Sequence, residues 1–184
     1  FIVASLIVDG SCIEMRNVNI NKFRTGIVTV LKGMGADIEI SDIKKVSNEL
    51  LGNIKVRYSK LKCADIKGEI IPSLIDELPI LFIACACASG TSKISGIEEL
   101  RYKESDRIMA MENGLRAIGI NVDSSKDSIE ITGGKIIGGK VNSYDDHRIA
   151  MSFVIAGLIS ERSLTIMDTK NILSLIHISE PTIP

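Results

Sequence analysis

Leu78-Pro79-Ile80-Leu81-Phe82-Ile83-Ala84-Cys85-Ala86-Cys87-Ala88 carries no charged, amide or hydroxyl side chain on any face. A helix on a domain surface shows an apolar stripe and a polar face that recur every 3.6 residues. A run without the polar face predicts a helix enclosed by other elements. Asp76 and Glu77 stand at its head, Pro79 falls in the first turn, where a missing N–H does no harm, and Ser89-Gly90 ends it. The next stretch, 91–97, reads as a strand, so the local order is charged head, buried helix over 77–88, tight turn, strand.

Working outward from this run, the same script appears on both sides of it. Upstream, an apolar helix end over 1–8 meets Asp9-Gly10 and a strand over 11–18. A basic turn, Asn21-Lys22-Phe23-Arg24, leads into a helix that stops at Gly33-Met34-Gly35, and strands follow over 36–40 and 54–58. Downstream of 91–97 comes a charged cluster and then a helix over 105–118. In that helix Ile108, Met111, Leu115 and Ile118 share one face, and Gly119 supplies the stop. Strands over 120–123 and 128–132 complete the unit. Gly10 and Gly90 lie 80 positions apart, and Gly35 and Gly119 lie 84 apart. A third copy opens with the apolar run 148–159 and a strand over 163–167, but the outer helix due after 168–171 never develops its period. Units of about this length that repeat in order predict stacked supersecondary elements. The expected fold is α/β (α+β), with repeated helix-strand-helix-strand-strand units, buried central helices, amphipathic helices and sheets outside, and the last unit incomplete.

One domain is expected over 1–172. The stretch 173–184 contains Pro181 and Pro184 among unpatterned residues and reads as disordered or foreign to the parent gene, which makes His177 a poor site candidate. The glycines of 132–140 are not followed by a Lys-Ser or Lys-Thr helix start, so they read as two tight turns and not as a phosphate loop.

The balance of 22 basic against 23 acidic residues gives no field to recruit nucleic acid or an anionic membrane, so an anionic ligand must be met by local cations. The apolar runs fall short of the roughly 20 residues of a membrane span. The chain begins Phe1-Ile2-Val3, with neither an initiator Met nor a basic leader, and reads as a helix cut in its middle. Cys85 and Cys87 point about 200° apart on a helix and cannot chelate one ion. All four cysteines are expected to be buried free thiols in a reducing compartment.

Chemistry is expected at the helix heads, where free N–H groups and a partial positive charge suit an anion or a carboxylate. Each head has a structural reading beside the functional one. Asp76 fits an N-cap, and Lys103-Glu104-Ser105-Asp106-Arg107 fits a solvated helix start with Ser105 capping. Against the second, Arg107 is a cation in the first turn, where the dipole disfavours it, so something anionic should offset it. Asp145-Asp146-His147-Arg148 places another cation ahead of an apolar helix, which predicts a near-interior Arg148 with a carboxylate or phosphate partner. His147 reads equally as a satisfied structural histidine or a catalytic one.

Three motifs in order give this chain a resemblance to the 5-enolpyruvylshikimate-3-phosphate synthases, the enolpyruvyl transferases of the shikimate pathway. They are Leu74-Ile75-Asp76-Glu77-Leu78-Pro79, Glu99-Leu100-Arg101-Tyr102-Lys103-Glu104-Ser105-Asp106-Arg107, and Asp146-His147-Arg148-Ile149-Ala150-Met151-Ser152. Arg24-Thr25-Gly26 and Met34-Gly35-Ala36-Asp37-Ile38-Glu39 add to it, and the likeness covers 1 to about 172. The UDP-N-acetylglucosamine enolpyruvyl transferases share the fold but not this motif set.

The resemblance implies the carboxy-terminal domain of a cytoplasmic transferase of chorismate and aromatic amino acid biosynthesis. That enzyme moves the enolpyruvyl group of phosphoenolpyruvate onto the 5-hydroxyl of shikimate 3-phosphate, through a tetrahedral intermediate that expels phosphate. Two such domains enclose the active site, so the implied partners are the two substrates and an amino-terminal domain absent from this chain. By motif position, Arg107 and Arg148 would clamp the phosphoenolpyruvate carboxylate. Asp76 would contact the shikimate hydroxyl and help take its proton, with Lys103 beside the reacting oxygen. Glu104 would exchange the proton at the methylene carbon, and His147 would lie near the phosphate. No metal or organic cofactor is implied. The family's phosphate-holding residues of the other half do not occur here, so this segment alone is expected not to turn over. Two other readings stay open: a non-catalytic half-domain that binds an anion or a partner, and a relative acting on a nucleotide sugar.

Overall fold

A computed structural model describes residues 1–170. The expectations for 171–184, including His177 and the atypical tail, lie outside the described residues. The chain forms two complete units and the start of a third. The first is α1 (Ile2–Ile7), β1 (Cys12–Asn19), α2 (Gly26–Gly33), β2 (Asp37–Val46), β3 (Glu49–Arg57) and β4 (Asp65–Ile66). The second is α3 (Leu78–Ala86), β5 (Thr91–Ser95), α4 (Arg107–Ala117), β6 (Asn121–Ser124), β7 (Ser128–Thr132) and β8 (Gly139–Asn142). The third opens with α5 (His147–Gly157) and β9 (Leu164–Met167). Short 3-10 turns at Gly68–Ser73, Ile75–Glu77 and Glu98–Tyr102 lead into α3 and α4.

The repeat read in the sequence is a repeat of topology. In the first unit the sheet order is β1-β3-β2, and in the second the equivalent strands run β5-β7-β6. Each unit also ends in a strand that leaves its own sheet. β4 pairs in parallel with β5, and β8 pairs in parallel with β9. A parallel pair needs a crossover, and α3 and α5 are those crossovers. α3 packs on α1, α4, α5 and β7, which leaves it no room for a polar face.

α1, α3 and α5 lie side by side in the same direction. Phe1, Glu77 and His147 border one groove, while Ile7, Cys87 and Ile159 border a hollow at the opposite end. The helix heads that carry charge are thus brought to one end of the molecule. Every residue of α3 is buried except Ile80, which is half-buried. α2 and α4 stop as expected. At α4 the Gly119 amide donates to Arg116 O (3.1 Å) and the Ile120 amide to Leu115 O (3.0 Å). At α2 the amides of Gly35 and Ala36 do the same to Lys32 O and Leu31 O, both at 3.0 Å. This six-to-one and five-to-two pairing demands a left-handed residue, and Gly35 and Gly119 have φ of +94° and +91°.

Four expectations need correction. First, strands expected over 36–40 and 54–58 extend toward each other as β2 and β3, around a turn at Ser47 and Asn48 with φ of 48° and 71°. Positive φ at both central residues matches a two-residue hairpin, and the ladder is offset by a bulge between Ser41 and Lys44. The added residues are mostly exposed and polar, so no alternation marks them as strand. Second, the stretch expected as two tight turns contains β8, whose backbone is held by β9. Third, α5 is not enclosed all round: Met151 is 51% exposed and Leu158 is 57% exposed. It packs on α3, α4 and β9, and no described element covers its remaining face. Fourth, all four cysteines are free, but Cys12 and Cys63 are exposed; only Cys85 is buried and Cys87 is half-buried. Cys12 begins an outer strand of the first sheet, where alternate side chains face outward.

Among the described residues no helix is long and apolar enough to cross a membrane.

Candidate active site

The heads of α3, α4 and α5 are joined by ion pairs. Asp76 sits in the 3-10 turn Ile75–Glu77 that precedes α3. It does not cap that helix, whose N-cap position is Glu77 without a side-chain bond. Its carboxylate instead lies between two guanidinium groups, with Oδ1 3.8 Å from Arg107 Nη1 and Oδ2 3.6 Å from Arg148 Nη2. Its backbone carbonyl accepts from Arg148 Nη1 at 3.0 Å. Arg148 thus finds the carboxylate partner expected of it, although it sits a third exposed at the edge of the groove and not in the interior.

Arg107 is the first residue of α4 and only 1% exposed. A guanidinium so enclosed must be paired, since a lone buried charge costs several kcal/mol. Its Nε donates to Asp146 Oδ2 at 2.8 Å, and its Nη2 donates to Glu104 Oε2 at 2.5 Å. These two acids are the anionic offset that a first-turn cation requires. Nη1 has no hydrogen-bond partner, the one such buried side-chain nitrogen or oxygen among the described residues. The helix itself is capped by Asp106, which accepts from the Met109 amide at 3.0 Å, and not by Ser105. Ser105 donates to Asp146 Oδ2 at 3.1 Å.

Asp146 was not singled out by sequence reasoning, yet it organises the site. It is buried, and it caps α5 by accepting from the amides of Arg148 (2.9 Å) and Ile149 (3.4 Å) through Oδ1. Burial alone would push its carboxyl up. The hydrogen bond and charge of Arg107, with the Arg148 amide and Ser105, outweigh that and hold it below the usual carboxylate range. The two residues before it, Tyr144 and Asp145, both take left-handed backbone with φ of 53° and 56°. Such a turn costs about 1–3 kcal/mol per residue and persists where its surroundings over-determine it. Here Ser143 is buried and its hydroxyl donates to Asp168 O at 2.6 Å. An Asp directly before an apolar helix is a recognised start signal, and that signal was available in the sequence.

The seven-residue cluster 101–107 divides by task. Glu104 and Arg107 join Asp76, Asp146 and Arg148. Arg101 is turned away, donating to Lys126 O (2.7 Å), Ser125 O and Asp106 Oδ2 (2.8 Å), which ties the approach to α4 against the β6–β7 turn. Tyr102 is exposed. Lys103 is not brought to the group: it is extended, and its ammonium pairs with Glu99. His147, at the start of α5, is half-buried and borders the same groove of about 550 Å³ as Asp76 and Arg148. Each acid at the site faces an arginine, and among the described residues no cluster of three or more His, Cys, Asp or Glu is placed to hold a metal ion. Chemically, the arrangement offers two planar cations for an anion and two partly exposed carboxylates, Asp76 and Glu104, for proton exchange.

Comparison with known proteins gives one consistent outcome. The family model described as EPSP synthase (3-phosphoshikimate 1-carboxyvinyltransferase) matches residues 1–174. A 3-phosphoshikimate 1-carboxyvinyltransferase of Legionella pneumophila (strain Paris) is 48% identical over 172 residues, covering 94% of this chain and 40% of the relative. One from Acidithiobacillus ferrooxidans (strain ATCC 53993) is 44% identical with the same coverage. Among solved structures, EPSP synthase from Acinetobacter baumannii superposes with a TM-score of 0.91 at 38% identity, covering 95% of this chain and 41% of that one. The enolpyruvyl transferase NikO from Streptomyces tendae superposes with a TM-score of 0.69 at 15% identity, covering 96% and 39%, a likeness of fold alone. The chain spans about 40% of the length of the curated relatives it matches.

Proposed function

This chain belongs to the EPSP synthase (3-phosphoshikimate 1-carboxyvinyltransferase) family, and on that premise we propose that it forms one wall of an enolpyruvyl-transfer site. The remaining wall comes from a second domain of the same enzyme. The proposed reaction joins the 5-hydroxyl oxygen of shikimate 3-phosphate to C2 of phosphoenolpyruvate while the methylene carbon takes a proton. The tetrahedral adduct then loses phosphate from C2 and the added proton from the methylene carbon, which leaves the enolpyruvyl ether. The enzyme is assigned to the cytoplasm, in keeping with four free thiols.

The observation that carries this reading is Arg107 Nη1. A buried N–H without a partner costs about 1–3 kcal/mol, and an incoming carboxylate recovers that cost. Arg148 lies on the other side of Asp76, so the two guanidinium groups suit one anion between them, the phosphoenolpyruvate carboxylate. Asp76, held by ion pairs longer than a hydrogen bond, keeps lone pairs for the sugar hydroxyl and takes its proton. Glu104 is half-exposed beside Arg107 and serves the methylene carbon. Lys103 reaches the reacting oxygen after releasing Glu99, and His147 faces the phosphate from the groove. Since both substrates must be held from two sides, the 1–184 segment alone does not turn over.

The test is phosphate release by the full-length protein carrying this domain, given phosphoenolpyruvate and shikimate 3-phosphate together. Release that needs both substrates is expected. No release above background with both present would overturn the assignment.

A further inference from the structure

We infer that Asp146 is a positioning residue that fixes Arg107 and Arg148 relative to each other, so that the two guanidinium groups meet one anion as a unit. This rests on the assignment of those arginines to the phosphoenolpyruvate carboxylate. Asp146 has two carboxylate oxygens that between them bind both helix heads, Oδ2 on the α4 side and Oδ1 chiefly on the α5 side, where Arg107 Nη2 also approaches at 3.5 Å. Oδ2 accepts from Arg107 Nε at 2.8 Å and from Ser105 Oγ at 3.1 Å, both on the approach to or start of α4. Oδ1 accepts from the amides of Arg148 at 2.9 Å and Ile149 at 3.4 Å, the first turn of α5. One buried side chain therefore ties the cation of one helix to the backbone of the other.

Chelation from both oxygens also explains why the site uses Asp and not the other good capping residues. Asn has one acceptor oxygen and one N–H₂ donor. If its oxygen caps α5, its N–H₂ faces the Arg107 Nε donor; if its oxygen meets Arg107, its N–H₂ faces the amides of α5. Ser has a single hydroxyl and reaches one partner only. Either replacement can keep the α5 cap or the Arg107 bond but not both, so a cap function and a positioning function are separable at this position.

The two functions predict different kinetics. In the full-length enzyme Asp146→Asn is expected to raise KM for phosphoenolpyruvate about 10-fold or more, because misplacing a clamp by about 1 Å can cost 10² in rate or binding. KM for shikimate 3-phosphate should stay within about 2-fold. Asp106→Ala is the control. It removes the cap of α4 and a contact to Arg101 without touching the Arg107 guanidinium, so it lowers thermal stability and leaves the ratio of the two KM values unchanged. Equal KM values for Asp146→Asn and wild type, or a rise shared by both substrates, would overturn the positioning role while leaving the reaction assignment intact. A wild-type enzyme that releases no phosphate overturns the assignment itself. If Asp146→Asn does not fold, Ser105→Ala removes one bond to Oδ2 and spares the cap on Oδ1. The same one-sided rise in KM, about 3-fold, is then expected, and no rise overturns the inference.

Discussion

Arg107→Met tests the buried ion pair directly. Methionine keeps most of the apolar stem and adapts to the space, so lost packing is small compared with lost charge. Breaking a buried pair by removing one partner costs about 3–5 kcal/mol, because the remaining charge stays in a low-dielectric site. Asp146 would still accept from the Arg148 amide and from Ser105, so the expected cost is near the low end, about 3 kcal/mol. The cost depends on pH. With Arg107 present, the Asp146 carboxyl is held below its ordinary value, so its contribution exists above the unfolded pKa of about 3.9 and disappears as pH falls through the folded one. With Arg107 gone, the largest influences opposing burial are lost, and the folded pKa moves up against the remaining bonds from the Arg148 amide and Ser105. The penalty then applies at neutral pH and fades as acid protonates the carboxyl. Hydrogen exchange of the amides of α4 and α5 in the full-length protein reads this locally. Protection should fall about 100-fold at pH 7, and the gap to wild type should narrow at about pH 4.5. A loss under about 3-fold at pH 7, or a gap indifferent to pH, would refute the claim that this pair holds the two helix heads.

Two further predictions concern groups of opposite character. Glu104→Gln and Asp76→Ala in the full-length protein should each lower kcat about 10²-fold or more, as expected for general acid–base groups; rates near wild type in steady-state phosphate release would remove their assigned roles. Under native conditions near neutral pH, a maleimide should label exposed Cys12 and Cys63. It should spare Cys85 and Cys87, whose thiols burial pushes up to about 11 and about 12. Rapid modification of all four before unfolding, read by intact mass, would contradict their placement.

Most of the fold was legible because its signals are local. All-round apolarity marked α3, the face of Ile108, Met111 and Leu115 marked α4, and Gly35 and Gly119 marked two helix stops. What was not legible depends on distant partners. β8 is four residues whose strand character comes from β9, some 25 positions later, and nothing in Gly139-Lys140-Val141-Asn142 announces it. The polar ends of β2 and β3 pair with each other above the core and so show no buried face. At the site, the motifs pointed to Asp76, Glu104, Arg107 and Arg148, and the fold brings these four side chains together. Asp146 was passed over because a capping Asp looks ordinary in sequence; that its second oxygen reaches a buried arginine 39 positions upstream is a tertiary fact. Lys103 shows the reverse, a motif residue whose ammonium rests on Glu99.

The distances separate two kinds of carboxylate at this site. Asp146 meets Arg107 at 2.8 Å, within the range of a charge-assisted hydrogen bond, and is wholly buried. Asp76 stands 3.8 Å and 3.6 Å from the two arginines and is about two-fifths exposed. A ligand carboxylate that arrives between Arg107 and Arg148 meets the exposed partners Asp76 and Glu104 and not Asp146, since displacing that one would mean uncapping α5 as well. The buried acid binds the Arg107 guanidinium and the Arg148 backbone amide, while Asp76 lies beside both guanidinium groups with acceptor capacity to spare. The topology makes this division available, because each unit's parallel crossover helix starts at the same end of the molecule. A turn acid, a first-turn arginine and a capping acid from three successive helices then meet without any long loop having to carry them there.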